Sequence, residues 1–485
     1  MDKLAGFAPD ADPTLPGVLV NVTNVIPFDF GVQGAPVGTT PSGVPALAAA
    51  CIGGSVITKL DDTRRIFAGT TTKLYELSGG SWTDVSTGSY TGGADTRWSF
   101  AQFGNATIAS NLADTIQRSN STGAFTSIAT APKAKIVFTV GAFVMALNTI
   151  DGTYGTSQDR WWCSAASDDT SWTPSVSTLA TTGRLVSSPG QLVSGGRLGE
   201  YAIAYKERAI YVGQYVGAPA VWDWLQVPGG EAGCVGQEAW CAIGTAHFIV
   251  GTDRFWRFDG SRPVPIGDGV INQWFNVNVN PSYRYRTKCF FDAQNGNVWV
   301  FYCHGASATN DKALVYHVKT DQWGLVNVNI EAAMHYTSAG VTIDGLTVYS
   351  ATIDALPNIP FDSQFWQSGG KALSTFNTSH QLQLMTGASV SSSIETGDGG
   401  DDDVVSLLSK IRLRFVNGEQ PTTATVQTQR KMESGGAFMN ASTSSMSDGK
   451  FNVLDSARWH KAVFSFTGPY RLTGIGAELI PEGDV

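Results

Sequence analysis

The sequence predicts an all-β fold made of small antiparallel units that repeat along the chain. The composition is the first sign, because the 485 residues include 54 glycines, 14 tryptophans and 24 phenylalanines, and only 15% are charged. Glycine favours tight turns, whereas threonine, valine and aromatic residues favour strands. The second sign is a strand–turn–strand pattern that recurs in altered form and closes near an aromatic residue beside Asp or Gly.

The clearest copies of this pattern cover residues 65–82, 246–260 and 296–323. Each copy is an antiparallel unit that cannot bury both of its faces alone, and units of this kind stack around an axis in β-propellers. The pattern continues over residues 46–365. Because one blade takes about 40–50 residues, we expect a β-propeller of about six or seven blades.

Residues 1–45 precede the propeller and are predicted to form an extended N-terminal arm. Prolines are frequent there, and proline fixes φ and removes a backbone donor, which suits an extended segment better than a helix or a central strand. The apolar residues between Val18 and Phe30 favour an arm that lies on a protein surface over a disordered tail.

Residues 366–403 are predicted to form a polar, acidic linker or loop that ends in Asp398, Asp401, Asp402 and Asp403. Clustered carboxylates suit Ca²⁺, which prefers oxygen ligands. The run lacks the ligand order of an EF-hand loop and its terminal glutamate, so a solvated loop is favoured over a metal site.

Residues 404–485 are predicted to form a small C-terminal domain that resembles a β-sandwich. Polar and apolar residues alternate at period two in 410–416 and 459–466, which indicates strands with one buried face. These strands and those of the propeller could also belong to one sheet system.

The charge balance disfavours one class of partner. The net charge is −9 and the pI is near 5.2, whereas a sequence-specific nucleic-acid binder shows a basic patch. A channel that DNA crosses without binding remains compatible with this balance.

The six cysteines show no C-x-x-C spacing and are predicted to be buried, reduced thiols, which suits assembly in the cytosol. We expect no secretory signal and no membrane span, because no long apolar run is present.

No motif in the sequence predicts catalysis, a cofactor or a metal centre. The six histidines form no metal-ligand pair, and no nucleophile elbow or phosphate-binding loop is found. The acidic pairs at 61–62 and 168–169, with aromatic residues at 161–162 and 222–224, leave room for a glycosidase. Turn and core positions are the favoured explanation for these residues.

Three stretches of the chain together resemble the tail nozzle proteins of short-tailed bacteriophages, also called DNA-stabilisation or tail tubular proteins. They are residues 7–27, residues 65–85 with 97–105, and residues 456–477. The first resembles the family's acidic, proline-containing opening with its Asn-Val-Ile-Pro, the second its first propeller repeats, and the third its closing pair of strands. This chain departs from the family after that opening, where 28–32 read Phe-Asp-Phe-Gly-Val.

This resemblance implies a structural virion protein without enzymatic activity or cofactor. Six copies would form a ring that continues and closes the DNA channel below the portal and adaptor proteins. The ring would offer an attachment surface for tail fibres or spikes, and double-stranded DNA would pass through it without sequence-specific binding. The implied location is the virion tail, assembled in the host cytoplasm.

Two groups of residues are candidates for roles in such a ring. A proline-rich arm can cover the unpaired strand edge of a neighbouring subunit, and fixed negative charge keeps phosphates from adsorbing to a channel wall. The candidate inter-subunit arm residues are Pro9, Asp10, Pro16, Asn24, Ile26 and Pro27, and the candidate acidic channel or surface loop is Asp398, Asp401, Asp402 and Asp403.

Two alternative functions remain open at this point. One is a receptor-binding, lectin-like β-propeller. The other is a propeller glycosidase that acts on host surface polysaccharide.

Overall fold

The computed structural model describes residues 2–41, 43–228, 231–337, 346, 350, 352–356 and 371–483. Strands hold 55% of the residues and helices 4%, which confirms the predicted all-β class. The described helices are short and comprise α1 (Asn272–Asn278) and the 3-10 helices Pro281–Arg286 and Ile353–Ala355. None of them is a candidate for crossing a membrane.

Six short strands come first along the chain, and five of them pair with distant segments. The six are β1 (Asp2–Lys3), β2 (Gly6–Phe7), β3 (Val18–Thr23), β4 (Val25–Phe28), β5 (Gly31–Gly34) and β6 (Val37–Thr39). The exception is β2, which pairs with β3, while β4 and β5 also form a hairpin.

Seven four-stranded antiparallel units, called blades 1 to 7, follow. Blade 1 contains β7 (Gly53–Thr58), β8 (Arg64–Gly69), β9 (Leu74–Ser78) and β10 (Ser81–Asp84); blade 2 contains β11 (Ser99–Phe103), β12 (Ala106–Ser110), β13 (Gln117–Ser119) and β14 (Thr126–Ser127); blade 3 contains β15 (Lys133–Val140), β16 (Phe143–Asp151), β17 (Gly155–Cys163) and β18 (Thr181–Arg184). Blade 4 contains β19 (Leu192–Leu198), β20 (Tyr201–Lys206), β21 (Ala209–Gly217) and β22 (Val221–Gln226); blade 5 contains β23 (Trp240–Ile243), β24 (Ala246–Val250), β25 (Phe255–Phe258) and β26 (Pro263–Ile266). Blade 6 contains β27 (Lys288–Asp292), β28 (Asn297–Tyr302), β29 (Asn310–His317) and β30 (Gln322–Ile330); blade 7 contains β31 (Ala332–Thr337), β32 (Lys371–Phe376), β33 (Leu382–Gly387) and the early strand β6.

The blades form a closed β-propeller around one cavity of about 390 Å³. The first strand of every blade contributes to its wall, and β31 of blade 7 packs against β7 of blade 1 to close the ring. Six blades are separate four-stranded sheets, and blade 6 is the first part of a larger sheet. The predicted propeller of about six or seven blades is therefore confirmed.

Strand β6 closes blade 7 from the other end of the chain. It pairs with β33 through Thr39 opposite Leu384 and Gly38 opposite Met385. Without β6 the outer edge of β33 would present a row of unpaired backbone groups. Part of the predicted arm over residues 1–45 is thus a propeller strand, which its proline and glycine content concealed.

The C-terminal strands complete two sheets that pack face to face, one of which continues from blade 6. They are β34 (Ser391–Thr396), β35 (Gly399–Gly400), β36 (Val405–Phe415), β37 (Thr423–Lys431), β38 (Met439–Ser445), β39 (Lys450–Ala457), β40 (Trp459–Thr467) and β41 (Arg471–Gly483). One sheet has the order β27-β28-β29-β30-β4-β5-β41-β36-β39, with β1 beside β41, and the other has the order β2-β3-β34-β40-β37-β38, with β35 beside β40. Blade 6 and the sandwich therefore share one continuous sheet through β4 and β5.

The described part of residues 366–403 contains strands where the sequence predicts a linker or loop. Strands β32 and β33 belong to blade 7, and β34 lies between β3 and β40 in the sandwich. The start of this segment and the predicted propeller end at 365 lie outside the described residues. The sequence of β34 is Ser-Ser-Ser-Ile-Glu-Thr, and it is polar because only Ser392 and Ile394 are buried while the other face is partly exposed.

Tryptophan rings packed on glycine backbone join neighbouring blades. A β-carbon at Gly69 would lie 2.2 Å from the Trp98 ring, and one at Gly196 would lie 2.1 Å from the Trp240 ring. Glycine is required at both positions because any side chain would overlap the indole. These contacts account for part of the high glycine and tryptophan content, and they set the spacing between neighbouring blades.

Candidate functional site: the junction of the N-terminal and acidic segments

The structure brings one residue of each group of predicted site residues, Pro16 and Asp398, together at one end of the sandwich. The Asp398 amide donates to the Pro13 carbonyl at 2.7 Å, and the Gly397 amide donates to the Val18 carbonyl at 3.0 Å. A cavity of about 230 Å³ lies at this junction, between the two sheets. Both Pro16 and Asp398 line it, although 382 positions separate them in the sequence.

Asp10 caps a helix of the propeller. Its carboxylate accepts hydrogen bonds from the Gln273 amide at 2.7 Å and from the Trp274 amide at 2.9 Å. The helix has no side-chain cap of its own, since Ile271 occupies its N-cap position. Phe7 adds an edge-to-face contact with Trp274 at 5.1 Å between ring centroids. The N-terminal segment is thereby fixed to the connection between blades 5 and 6.

Asn24 stands where the chain passes from one sheet of the sandwich to the other. Its φ of 55° is in the left-handed region, which asparagine tolerates better than most residues. The side-chain amide donates to the Ser391 carbonyl at 3.2 Å, and its oxygen accepts from the Asn327 amide at 3.0 Å. Asn24 thus connects the first segment, blade 6 and the strand β34.

Ile26 and Pro27 are buried in β4, next to blade 6. Ile26 is 3% exposed and packs in an apolar cluster with Trp299 and Leu373. The Pro27 carbonyl accepts from the Asn297 side chain at 3.4 Å. These residues serve the chain's own core, so a contact with a neighbouring subunit would have to use other atoms of the segment.

Pro9 lies just before a loop at residues 11–16 that is exposed over most of its length, and Pro16 ends this loop. Asp12 organises this loop by accepting hydrogen bonds from the Thr14 amide at 2.9 Å and the Thr14 hydroxyl at 2.7 Å. These bonds lower the pKa of Asp12 below its ordinary value. Leu15 stands 53% exposed in this loop.

Asp398 is neutralised by two lysines. Its carboxylate lies 3.0 Å from the Lys431 ammonium and 3.4 Å from the Lys461 ammonium, and all three side chains are largely buried. Both ammonium groups also face the Phe438 ring, at 4.4 and 4.8 Å from its centroid. Asp398 therefore belongs to a packed polar cluster and is unavailable as free negative charge.

The other three acidic residues lie in a surface turn. The Trp459 indole donates to the Asp402 carboxylate at 2.7 Å, and the Asp403 amide donates to the Asp401 carboxylate at 2.7 Å. Across the described residues, no group of three His, Cys, Asp or Glu side chains is placed to hold a metal ion. The acidic turn of Asp401, Asp402 and Asp403 is thus an anchored, exposed patch.

A cluster of ion pairs that the sequence did not predict covers one mouth of the propeller cavity. Asp95, before blade 2, accepts from Arg286, before blade 6, at 2.6 Å. Arg97 lies 3.6 Å from Glu238, which also pairs with the buried Lys288. Asp95 and Arg97 precede blade 2, whereas Glu238, Arg286 and Lys288 belong to the starts of blades 5 and 6, so the two groups meet across the axis. We call this cluster the axial cap.

In the axial cap, burial and the neighbouring charged groups shift pKa values in opposite directions. Burial lowers the pKa of Lys288, while the neighbouring Glu238 raises it in part. Partial burial would raise the pKa of Asp95, but the hydrogen bonds from Arg286 and Tyr285 lower it overall. No local motif marks these residues, since 191 positions separate Asp95 from Arg286 and 50 separate Glu238 from Lys288.

The acidic pairs that suggested a glycosidase serve turns and ion pairs. Asp169 is buried and lies 2.6 Å from Arg118, and Asp61 and Asp168 accept hydrogen bonds from threonines two residues further on.

All six cysteines are free. Burial raises the pKa of Cys51 to about 12, so its thiol stays protonated at neutral pH.

The blades and their closure define the chain as a β-propeller protein. No protein-family model and no curated protein matches the chain. Among solved structures it is similar to YCF48 bound to a D1 peptide, with 11% identity over 60% of this chain and 87% of that one and a TM-score of 0.34. It is also similar to the β-propeller domain of Cps50 (Swd1) from Myceliophteria thermophila, with 7% identity over 73% of this chain and 98% of that one and a TM-score of 0.41.

Proposed function

We propose that the chain is a structural virion protein, the subunit of a tail nozzle ring in a short-tailed bacteriophage. In this proposal six copies form a closed ring below the portal and adaptor proteins. The ring continues the DNA channel, retains packaged DNA and offers attachment surface for fibres or spikes. The chain itself carries out no catalysis and needs no cofactor.

The observation that carries the proposal is the spatial arrangement of the stretches that resemble this family. The first stretch supplies β3 and β4, and the last supplies β40 and most of β41. Strand β3 pairs with β34, which pairs with β40, while β4 pairs with β5, which pairs with β41. The two ends of the chain therefore form one sandwich beside blade 6, as expected if the likeness reflects one structural unit.

A surface suited to a ring contact lies on the far part of β41. Residues 477–483 of this strand are exposed and pair with β36 on one side, and among the described residues no strand pairs with their other side. We call this open sheet edge the ribbon. Leu479 and Ile480 are 40% and 44% exposed on it. A closed ring needs two different complementary patches on each subunit, and exposed apolar side chains are typical of the centre of such patches.

The proposal is tested by electron microscopy of phage particles that contain this chain. We expect six copies in an axial ring at the lower end of the tail, with a central channel. Finding the chain as a peripheral fibre, or in no particle at all, would refute the proposal.

Variants of the ribbon test the contact independently. Ile480→Asp is expected to lower incorporation into particles at least about tenfold, because a charge replaces an apolar contact. Leu479 is left unchanged because it also lines the cavity between the two sheets. Leu60→Asp is the matched control, since Leu60 is 77% exposed on a blade turn. Equal incorporation of both variants would show that the ribbon is not part of the ring contact. The axial position of the chain would then still be tested separately by the electron microscopy.

A further inference from the structure

We infer that a groove between blades 3 and 4 is a binding site for a neutral oligosaccharide. The groove has a volume of about 470 Å³, within the range of ligand-binding pockets. It lies on the face of the propeller opposite the axial cap, because the turns that build it follow the ends of β15 and β19. This binding is separate from the ring proposal and concerns a different surface.

Aromatic rings form the walls and floor of the groove. Phe143 and Trp222 are buried as its floor, and their ring centroids lie 5.6 Å apart. Tyr215 lies 5.5 Å from Phe143 and 6.0 Å from Trp222, and it is 47% exposed. Tyr201 also lines the groove and is 41% exposed. The core rings hold Tyr215 in place, so its exposed surface is a rigid platform.

Unused polar groups lie beside these platforms. Gln214 and Glu200 line the groove and are exposed. Within the described residues, neither the Tyr201 and Tyr215 hydroxyls nor the Gln214 carboxamide takes part in a side-chain hydrogen bond. Tyrosine combines a large apolar ring with a polar tip, which suits a ligand that has both kinds of surface.

The charge of the groove favours a neutral ligand. Of the described residues that line it, Glu200 alone is charged, and Arg197 lies 3.8 Å from its carboxylate. An acidic sugar would meet this carboxylate without a surplus of positive charge to compensate. A neutral sugar ring instead offers C–H surface to the tyrosines and hydroxyl groups to Gln214 and Glu200.

A sugar fits the groove better than an extended peptide does. A peptide strand gains most of its affinity from an open sheet edge that supplies backbone hydrogen bonds. The groove is built from the hairpin turns at 141–142 and 199–200 and from side chains, and it presents no such edge. Side-chain donors and acceptors around an aromatic platform match a hydroxyl-rich ring.

The test is saturation-transfer NMR on the full chain with four neutral hexasaccharides: maltohexaose, cellohexaose, hexa-N-acetylchitohexaose and an isomaltose hexamer. We expect saturation transfer from at least one, with a dissociation constant of about 1 mM. Tyr201→Ala combined with Tyr215→Ala is expected to weaken binding about tenfold, because both platforms are lost. The corresponding Tyr→Phe double variant is expected to stay within about threefold of the parent chain, since the rings remain.

Tyr154→Ala is the matched control, because Tyr154 is 48% exposed on blade 3 outside the groove. It is expected to bind as the parent chain does. Circular dichroism of each variant shows whether the propeller remains folded. No transfer from any of the four sugars, or a response to a proline-rich hexapeptide alone, would overturn the inference. Unchanged binding in the folded Ala double variant would overturn it as well.

Discussion

At the scale of single residues, the predicted arm positions serve the chain's own fold. Asp10 caps α1, Asn24 connects two sheets, and Ile26 is buried beside blade 6. The sequence singled out these positions because they lie in the stretch that resembles the opening of the tail nozzle proteins, and because a proline-rich arm can cover a neighbour's strand edge. It did not indicate that their partners lie in the same chain, since those partners are more than 250 residues away.

Replacing Asp10 with Ala is expected to lower the free energy of unfolding by about 1–2 kcal/mol, because two amides at the start of α1 lose their acceptor. Asp10→Asn keeps a neutral acceptor, so a smaller loss is expected. Urea unfolding followed by tryptophan fluorescence measures both changes. An Asp10→Ala variant as stable as the parent chain would contradict the capping role.

At the scale of elements, glycine and tryptophan set the fit between blades. The ring of Trp240, at the start of blade 5, lies against the backbone of Gly196 in blade 4, and Trp98 at the start of blade 2 lies against Gly69 in blade 1. The composition predicted many turns, which accounts for part of the glycine content. The packing role of strand glycines was not predicted, because a strand glycine and a turn glycine look alike without their neighbours.

Gly196→Ala is expected to destabilise the protein by roughly 1–3 kcal/mol, because the new methyl group would overlap the Trp240 ring. Gly88→Ala is the matched control, since nothing lies within 4 Å of a β-carbon there and its φ needs no glycine. The control is expected to lie within about 1 kcal/mol of the parent chain, on the stabilising side, because alanine restricts the unfolded chain. Equal unfolding midpoints for the two variants would contradict the packing role of Gly196.

At the scale of the whole molecule, the propeller and the sandwich are parts of one unit. A single apolar cluster contains Phe248 of blade 5, Leu325 of blade 6, Leu19 of the first segment and Phe464 of the sandwich. Strands β4 and β5 also join blade 6 to β41 within one sheet. Residues 1–45 supply strands to both parts, so neither part is complete without them.

We therefore expect one cooperative thermal transition for the full chain, with a calorimetric enthalpy close to the van't Hoff enthalpy. A chain that starts at residue 46 is expected to lose both the blade 7 closure and the sandwich core, and with them the soluble fold. Differential scanning calorimetry measures the first expectation, and soluble yield with circular dichroism measures the second. Two well-separated transitions, or a folded truncated chain, would show that the parts are independent.

The sequence by itself determined the all-β class and the repeated blades, because strand periodicity, turn residues and repeat length are local properties. Tertiary structure alone decided that β6 closes blade 7, that Asp398 pairs with Lys431 and Lys461, and that Asp95 meets Arg286 across the axis. These contacts join residues that are far apart in sequence, and the energy of each depends on burial and partners that appear only when the chain is folded. The polar composition of residues 391–403 predicted a linker where the structure has strands, for the same reason. Burial on one face of a sheet depends on the strands beside it.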